Sequence, residues 1–526
     1  MGFSSEPHFC GTIAEEWTGG ASASSPPPSA FSSLRRPRNA RPNRVDPPSP
    51  LPAPTGRRTP TGLAVVLGMV AASVPMVWLW GFTVDDALIT ARVAHHLAVG
   101  VGHRFNADGA VVDAVTPLGF SFLLAPFAAS GPLAALSAAK VLGAAAWVGA
   151  AGWLAAELRR FGALALFAGA ALLALTIPLA AWAVAGMETA LVTALATAAL
   201  GRSRFAALGA GLAAGLRPEL APWAVVLVAS RALFEGRASA RSPLAGLAAP
   251  LAASVGPLVL VALVRSLVFG QAYPLAALAK PSDAAHGLYY AAGALLFSGP
   301  PVLLVARRAY RDASPRTRAI AVAAGAHVVS LVLVGGDWMP LYRLFVPVLP
   351  GIVLAGAELL VRSRSRVLVA SKLVVAFGVA GLTAVRSGPS AARVGAQRAA
   401  LIAAARPALA GARSIAALDV GWVGAASAAS IVDLAGVTDP GIALLPGGHT
   451  TKRLPSGLLE SRSVDALVVL AENAALVPLA ELEVARGVEA RLGALASAEH
   501  FQPTAVIPLV GTRRAYVVYR RYADAR

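Results

Sequence analysis

Long apolar stretches recur between Thr61 and Val385, and they constrain the fold of this chain more than any other feature. Of its 526 residues, 56% are hydrophobic and only 14% are charged, whereas a soluble domain carries about a quarter charged residues. A helix needs about 20 mostly apolar residues to cross the roughly 30 Å hydrocarbon core of a bilayer. The sequence therefore predicts an α-helical polytopic membrane protein.

Arginine clusters separate the apolar stretches and determine the predicted topology. The clusters are Arg57 and Arg58; Arg159 and Arg160; Arg202 and Arg204; Arg231, Arg237 and Arg241; Arg307, Arg308, Arg311, Arg316 and Arg318; and Arg362, Arg364 and Arg366. The positive-inside rule places such clusters in the cytoplasm, so an even number of crossings separates neighbouring clusters. The net charge of +18 then reflects topology, and we expect no nucleic-acid partner.

Threading the chain by this rule gives eleven crossings, with a cytoplasmic N-terminus and an external C-terminus. The crossings are 61–82, 132–156, two within 161–200, two within 205–234, 243–268, 288–306, 317–334, 343–361 and 367–385. The apolar piece at 116–129 is too short to span, and we expect a juxtamembrane helix there. The predicted location is the plasma membrane.

The two ends of the chain differ from the apolar region. Residues 1–60 are rich in Pro, Ser, Ala and Arg, which is typical of a disordered tail. No apolar segment follows the initiator Met, so we expect no cleavable signal peptide. Residues 61–386 form the predicted membrane domain. In residues 387–526, short β-like runs alternate with Ala-rich stretches, which predicts a small extracytoplasmic α/β domain. The β-like runs are Ser414–Val420, Asp465–Leu470, Thr504–Val510 and Arg514–Tyr519.

Ionisable residues collect in the predicted outer loops, and residues at membrane edges are functional candidates. They are Asp85, Asp86, His95, His96, His103, Asp113, Glu188, Arg217, Glu219, Lys280, Asp337 and Arg343. The three histidines lack the spacing of a metal site, so an interfacial role is the better interpretation. Glu188, Arg217 and Glu219 lie among apolar residues, where structural ion pairs and a functional role are both consistent with the pattern. Lys280 and Arg343 suit a phosphate group at the membrane edge.

Asp85 and Asp86 open the first outer loop. Thr83 is expected to cap a helix whose first turn carries both carboxylates. Adjacent residues on a helix diverge by about 100°, so only one Asp has to face a cavity. The sequence leaves open which Asp that is, and it leaves simple helix-start chemistry as the alternative.

These motifs occur in the order seen in one family. They are Asp85-Asp86-Ala87-Leu88-Ile89-Thr90 with Arg92, Phe105-Asn106, Thr116-Pro117, Gly186-Met187-Glu188-Thr189, Arg217-Pro218-Glu219, Tyr273-Pro274 with Lys280, and Gly335-Gly336-Asp337-Trp338-Met339 with Arg343. Over about residues 61–460 the chain resembles the bacterial GT-C glycosyltransferases related to the mycobacterial terminal arabinofuranosyltransferase.

The resemblance implies a polyprenyl-phosphate sugar donor, an inverting transfer to a cell-envelope glycan or lipid, and a catalytic Asp at Asp85 or Asp86. It implies a set of substrate-binding residues: Arg92, Glu188, Arg217, Glu219, Lys280, Asp337 and Arg343. A divalent metal ion held by the Asp pair remains an alternative. Leu88, Ala91 and Val93 stand where the family usually has aromatic residues, which leaves the sugar open.

Two other functions fit a membrane protein of this kind. One is a transporter or flippase of lipid-linked sugars, which inverted repeats between the two halves would favour. No such repeat is detectable. The other is a degenerate scaffold whose outer domain binds glycan without chemistry, and the intact Asp85, Asp86, Lys280 and Arg343 argue against it.

Overall fold

In the computed structural model of the protein, residues 59–235, 243–498 and 500–522 are described. The predicted disordered tail lies outside the described residues except for its last two positions. The described chain is mostly helical and ends in a small sheet.

Fifteen helices form the bundle and its connecting segments within the described residues. They are α1 (Thr61–Trp78), α2 (Asp85–Ala98), α3 (Phe120–Leu124), α4 (Pro132–Leu158), α5 (Ala163–Leu175), α6 (Ile177–Ala183), α7 (Thr189–Ala199), α8 (Ala206–Leu216), α9 (Ala221–Phe234), α10 (Pro243–Phe269), α11 (Leu275–Ala279), α12 (Ala284–Phe297), α13 (Pro315–Val334), α14 (Leu349–Val361) and α15 (Arg366–Leu409). A 3₁₀ segment, Pro340–Val348, leads directly into α14.

Six helices of the described chain are long and apolar enough to cross a membrane. They are Thr61–Trp78, Pro132–Phe161, Gly246–Phe269, Pro315–Val334, Pro340–Val361 and Arg366–Leu409. The pair α5 and α6, bent by 60°, brings the number to seven if it forms one span. Each predicted crossing contains a helix, but α7 and α8 have only 11 residues each. The described chain therefore contains six or seven helices that could cross a membrane, and the full count of eleven stays a prediction.

Prolines and small residues explain the short helices. Arg217 precedes Pro218 and has extended backbone angles. A proline disfavours the helical conformation of the residue before it, which explains these angles. Helix α8 ends there. Gly211 lets α8 approach α10 closely, since a Cβ atom at this position would clash with the Ala253 carbonyl oxygen. Small residues commonly allow such close approach between membrane helices.

Arginines from several of the clusters meet at one end of the bundle within the described residues, and we call this end the basic end. Arg316 of α13 pairs with Glu157 of α4 at 2.6 Å and interacts electrostatically with Arg231 and Arg202. Nearby, Glu358 of α14 accepts hydrogen bonds from Ser314 and Arg362. Loops that are far apart in sequence therefore share one face, as the topology requires.

A five-stranded sheet forms the C-terminal α/β domain. Its strands are β1 (Ser414–Ala417), β2 (Ser430–Asp433), β3 (Ala466–Ala471), β4 (Phe501–Pro508) and β5 (Ala515–Arg521), and its helices are α16 (Val420–Ala426), α17 (Pro440–Ala443), α18 (Leu458–Ser461) and α19 (Gly487–Ala498). The strand order is β2-β1-β3-β5-β4, with β1, β2 and β3 parallel and β5 antiparallel to both of its neighbours. The small sheet with its helices agrees with the predicted α/β fold of this region.

Two connections join this domain to the bundle. Helix α15 runs through the predicted boundary at 387 and ends only five residues before β1. The first loop also enters the core of the domain, since Leu88 and Val93 of α2 are buried in one cluster with Trp422 and Ile431. The α/β domain therefore covers the end of the bundle opposite the basic end, and we call this the domain end.

Candidate active site

The two aspartates stand at the start of α2 with no side-chain cap in front of them. The capping position is Val84, which is extended, and the helix begins at Asp85. The predicted Thr83 cap is wrong, because the Thr83 hydroxyl donates instead to the Ala185 carbonyl at 3.0 Å. Thr83 thereby holds the loop against the turn between α6 and α7. Both carboxylates remain free for other partners.

Asp85 is bound to the α/β domain. Its carboxylate accepts hydrogen bonds from the backbone N–H groups of Gly421 at 2.8 Å and Trp422 at 2.9 Å. The Arg398 guanidinium approaches it at 3.3 Å. Burial raises the pKa of Asp85 to about 6, an effect that Arg398 opposes and Asp419 increases. Because Gly421 and Trp422 begin α16, Asp85 acts as an anionic cap for that helix.

Arg92 binds the other end of the same helix. It lies seven residues after Asp85 and therefore on nearly the same face of α2. Its guanidinium donates to the carbonyls of Gly424 at 2.7 Å and Ala429 at 2.9 Å, and also to Phe105 at 2.8 Å. The side chain is 4% exposed. We call Asp85 and Arg92 the α16 clamp, and the structure places the predicted substrate-binding Arg92 in this clamp.

Replacing Arg92 with Met is expected to destabilise the docking of the α/β domain. The change leaves several carbonyl groups without a donor, at a cost of about 1–3 kcal/mol for each buried group that finds no other partner. Thermal unfolding of the purified protein measures the loss. Arg413→Met is the control, because the Arg413 side chain is 94% exposed. Unchanged stability combined with weaker substrate binding would contradict the structural role.

Asp86 points away from the clamp. It lies about 100° round the helix from Asp85, and its Oδ2 is 3.8 Å from Nη1 of Arg343. Its side chain is 31% exposed, compared with 16% for Asp85. No described residue donates a hydrogen bond to Asp86. The surroundings of the two aspartates therefore distinguish Asp86 from Asp85, which the sequence alone did not do.

Arg343 is held at the centre of a buried group of charges. Its Nε donates to Oδ2 of Asp337 at 2.7 Å, and its guanidinium lies 5.6 Å from the ring centre of Trp182. Burial favours the neutral form of Asp337, but the charges of Arg343, Lys280 and Arg217 outweigh it and hold the pKa of that carboxyl below its ordinary value. Asp337 is therefore an anion that neutralises part of the local positive charge.

The backbone before Arg343 is strained. Leu341 and Tyr342 have φ values of 58° and 52°, a left-handed conformation that costs a non-glycine residue roughly 1–2 kcal/mol. Hydrogen bonds hold the segment: the Leu344 N–H donates to the Tyr290 hydroxyl at 3.0 Å, and Trp182 Nε1 donates to the carbonyls of Pro340 and Leu341, each at 3.2 Å. Strain of this kind is concentrated at functional sites. This segment runs from the domain end into the bundle, and it places the Arg343 side chain in the interior.

A second layer of charge lies behind Arg343. Arg217 pairs with Glu188 at 2.5 Å and approaches Glu219 at 3.7 Å. Glu188 is fully buried, and both glutamates interact electrostatically with Arg343. These three residues form the ion pairs at helix breaks that the sequence allowed, and they belong to the same charge network as Arg343.

The α/β domain contributes His449, which the sequence analysis missed. Its ring lies 5.3 Å from that of Trp338, which in turn stacks on His286 at 4.2 Å. Burial, assisted by the charge of Lys280, lowers the pKa of His449 to about 3, so the imidazole is neutral at physiological pH. No motif spacing marks this histidine in the sequence. Lys280 interacts electrostatically with both His449 and Asp337.

The structure thus brings seven of the nine predicted site residues into one network. We call it the charge cluster: Asp86, Glu188, Arg217, Glu219, Lys280, Asp337 and Arg343. Its chemical capacity is that of a partly exposed carboxylate beside cations, which suits proton abstraction and the binding of an anion. The histidines of the first loop have other neighbours, since His95 contacts the Ala128 carbonyl, His96 contacts the Arg104 carbonyl, and the His103 ring stacks on Phe122.

The fold and the site define a class of protein: a helical protein with several helices long and apolar enough to span a membrane, and with a buried charge cluster beneath a C-terminal α/β domain. Comparison with known proteins gives no match, since no family model matches the chain and neither a curated protein nor a solved structure is significantly similar to it. The described residues contain no group of three or more His, Cys, Asp or Glu side chains that could hold a metal ion.

Proposed function

We propose that this chain is a membrane glycosyltransferase of the GT-C type. It transfers a sugar from a polyprenyl-phosphate donor to a cell-envelope glycan or lipid acceptor. The observation that carries the proposal is the pairing of a partly exposed carboxylate, Asp86, with Arg343 at 3.8 Å inside a cluster that also holds Lys280. The order of motifs that resembles the GT-C family supports the same reaction.

In the proposed reaction Asp86 is the general base. It accepts the proton of the acceptor hydroxyl, and the hydroxyl oxygen forms a bond to the anomeric carbon of the sugar. The bond from that carbon to the phosphate oxygen breaks, and polyprenyl phosphate leaves with the electron pair. Arg343 and Lys280 stabilise the charge that develops on the phosphate. A single activating carboxylate without a nucleophile corresponds to inversion.

Asp85 has a positioning role in this proposal. Its carboxylate already accepts two N–H groups and pairs with Arg398. Such a donor set repels a cation, so the two aspartates do not fit a metal ion that both would share. The proposed reaction therefore contains no metal step. The α16 clamp instead fixes α2, and with it the direction of Asp86.

We place the basic end in the cytoplasm and the α/β domain outside the bacterial plasma membrane. The positive-inside rule supports this orientation, because arginines from separate loops meet at the basic end. Eleven crossings remain our proposal, with the short helices α7, α8, α9 and α12 crossing alongside longer neighbours. The donor phosphate would then lie at the outer membrane edge, at the level of the charge cluster.

Reporter fusions test this orientation. A reporter joined after residue 240 is expected on the cytoplasmic side, and one joined after residue 450 is expected outside. The first position lies beside an arginine cluster and the second within the α/β domain. An enzymatic reporter active only in the cytoplasm and one active only outside provide reciprocal controls. Reporters found on the same side would rule out an odd number of crossings between the two positions.

Lys280→Ala is expected to weaken donor binding and to slow turnover. A hydrogen bond to a charged group contributes about 1.5–3 kcal/mol, which corresponds to roughly a 10- to 100-fold loss. Titration calorimetry with a polyprenyl-phosphate sugar measures the affinity, and product formation measures the rate. Arg413→Ala is the matched removal of an exposed cation. If both values stay unchanged, Lys280 is an interfacial anchor and not a donor ligand.

Proteoliposomes distinguish transfer from transport. The lipid-linked sugar is supplied in one leaflet together with an acceptor, and both free polyprenyl phosphate and intact donor in the other leaflet are measured. Glycosyl transfer predicts polyprenyl phosphate that accumulates with the glycosylated acceptor. Intact donor in the opposite leaflet, without polyprenyl phosphate, would identify a flippase and refute the proposal.

A further inference from the structure

An apolar crevice lies between α5, α14 and α15, near the basic end. Its lining includes Leu164, Ala168, Leu172, Val361, Val369 and Leu373. From Leu164 to Leu172 it extends about 12 Å along α5, close to the depth of one leaflet of a bilayer core of roughly 30 Å. Leu164 is 67% exposed, so the crevice opens to the outer surface of the bundle. The length of the crevice and its apolar lining suit one alkyl chain.

Cations surround the mouth of the crevice. Arg364 and Arg366 lie between the lining residues Val361 and Val369. Both arginines are exposed, and neither makes a hydrogen bond or an ion pair with a described residue. Arg160 lies four residues before Leu164, in the short segment that precedes α5, and pairs with Glu157, with half of its side chain exposed. The mouth therefore carries an excess of positive charge.

Lys372 adds a cation beside the same crevice, on a side chain that is otherwise largely buried. It is only 5% exposed and has no hydrogen-bond or ion-pair partner in the described part of the chain. Its neighbours on α15, Val369 and Leu373, both line the crevice. Side chains on a helix lean towards its N-terminus, so Lys372 extends back towards Arg366 and the mouth. Its ammonium group keeps some contact with the surface, so it is accessible to an external anion.

The other buried lysines show how the chain normally satisfies such a group. The Lys140 ammonium donates to the carbonyls of Trp80 and Phe82, at 2.7 and 2.8 Å. The Lys452 ammonium donates to those of Ala443 and Leu445, at 2.7 and 3.0 Å. Lys372 differs from both, which points to a partner that the chain itself does not supply.

We propose that this crevice binds an anionic phospholipid. One acyl chain lies between α5, α14 and α15, and the phosphate pairs with Lys372, Arg364 and Arg366. Basic pockets between membrane helices recognise anionic headgroups in this way. The site is at the basic end, so it is separate from the charge cluster and independent of the proposed glycosyl transfer. The lipid stabilises the packing of α14 and α15 against α5.

Native mass spectrometry of the full-length protein in detergent tests this proposal. Phosphatidylglycerol and phosphatidylcholine with identical acyl chains are titrated separately. We expect phosphatidylglycerol to bind about tenfold more tightly, since a charge-assisted contact of this kind is worth about 1.4 kcal/mol or more. Lys372→Met removes that preference, and Ala168→Leu, which fills the crevice, weakens binding of both lipids. Arg311→Met, an exposed cation in a different loop of the basic end, leaves both affinities unchanged.

Several results would overturn the proposal. Equal binding of the two lipids would show that the phosphate charge is not recognised. Unchanged phosphatidylglycerol binding in Lys372→Met and in an Arg364→Gln, Arg366→Gln double variant would show that these cations do not hold it. Displacement of the lipid by polyprenyl phosphate, or by dimer formation at high protein concentration, would assign the crevice to the donor tail or to a second copy.

Discussion

Asp86→Asn is expected to abolish most turnover while the protein still folds and binds its donor. General base catalysis contributes roughly 10²- to 10⁴-fold to a rate, and an amide cannot accept the proton. Asp86 has no hydrogen bond from a described residue and only one cation nearby, at 3.8 Å. Its removal therefore leaves the surrounding structure intact. Product formation under donor saturation measures the loss.

Asp85→Asn is the matched control for this prediction. The substituted amide would retain one acceptor oxygen for α16 but would lose the charge that pairs with Arg398. We expect a stability cost of about 1–3 kcal/mol, because the new NH₂ group faces a backbone donor, and we expect most of the turnover to remain. The reverse pattern in folded proteins would make Asp85 the base. Near wild-type rates in both variants would make Glu188 the next candidate.

Arg343→Lys is expected to cause the second largest loss of activity, although the charge is conserved. Arg343 uses Nε for Asp337 at 2.7 Å and presents Nη1 towards Asp86. A lysine ammonium is a single point charge without the planar guanidinium, so it cannot hold contacts in two fixed directions at once. Removing one transition-state donor typically costs 10²- to 10³-fold in kcat. Donor affinity is expected to fall less than the rate, because the phosphate gains charge only as its bond to the sugar breaks.

Separate measurement of donor affinity and turnover tests this role of Arg343. Asp337→Asn is an informative companion, because it removes the partner of Nε but leaves the guanidinium in place. We expect an intermediate loss of rate for that variant. If Arg343→Lys changes neither quantity, Arg343 is an anchor of the strained segment, and the phosphate site would have to involve Arg217.

The helices were predictable because hydropathy is a local property of the sequence. All eleven apolar stretches contain helix, yet the number of full spans was not predictable. Pro218 and the bend between α5 and α6 divide apolar stretches into short helices. The amino-acid composition of a short helix does not determine whether it crosses the membrane. Of the five strands, β2 was missed because its four residues follow a helix too short to show periodicity.

The roles of Asp85 and Arg92 could not be read from the sequence, because both depend on a helix more than 330 residues away. The position of α16 against α2 is needed to show that one face of α2 carries Asp85 and Arg92 and that the adjacent face carries Asp86. His449 was missed for a similar reason, since its partners Trp338 and Lys280 belong to other loops. The charge cluster itself was predictable, because ionisable residues are rare in this chain and accumulate near the ends of its apolar stretches.

Acceptor-dependent release of polyprenyl phosphate tests the central claim most directly. The purified full-length protein is incubated with a panel of polyprenyl-phosphate sugars and an envelope glycan extract, with Asp86→Asn and Asp85→Asn in parallel. Our proposal predicts release with at least one donor by the wild-type protein, most of that rate with Asp85→Asn, and almost none with Asp86→Asn. Equal release by the wild-type protein and Asp86→Asn, or intact donor throughout the panel, would contradict it.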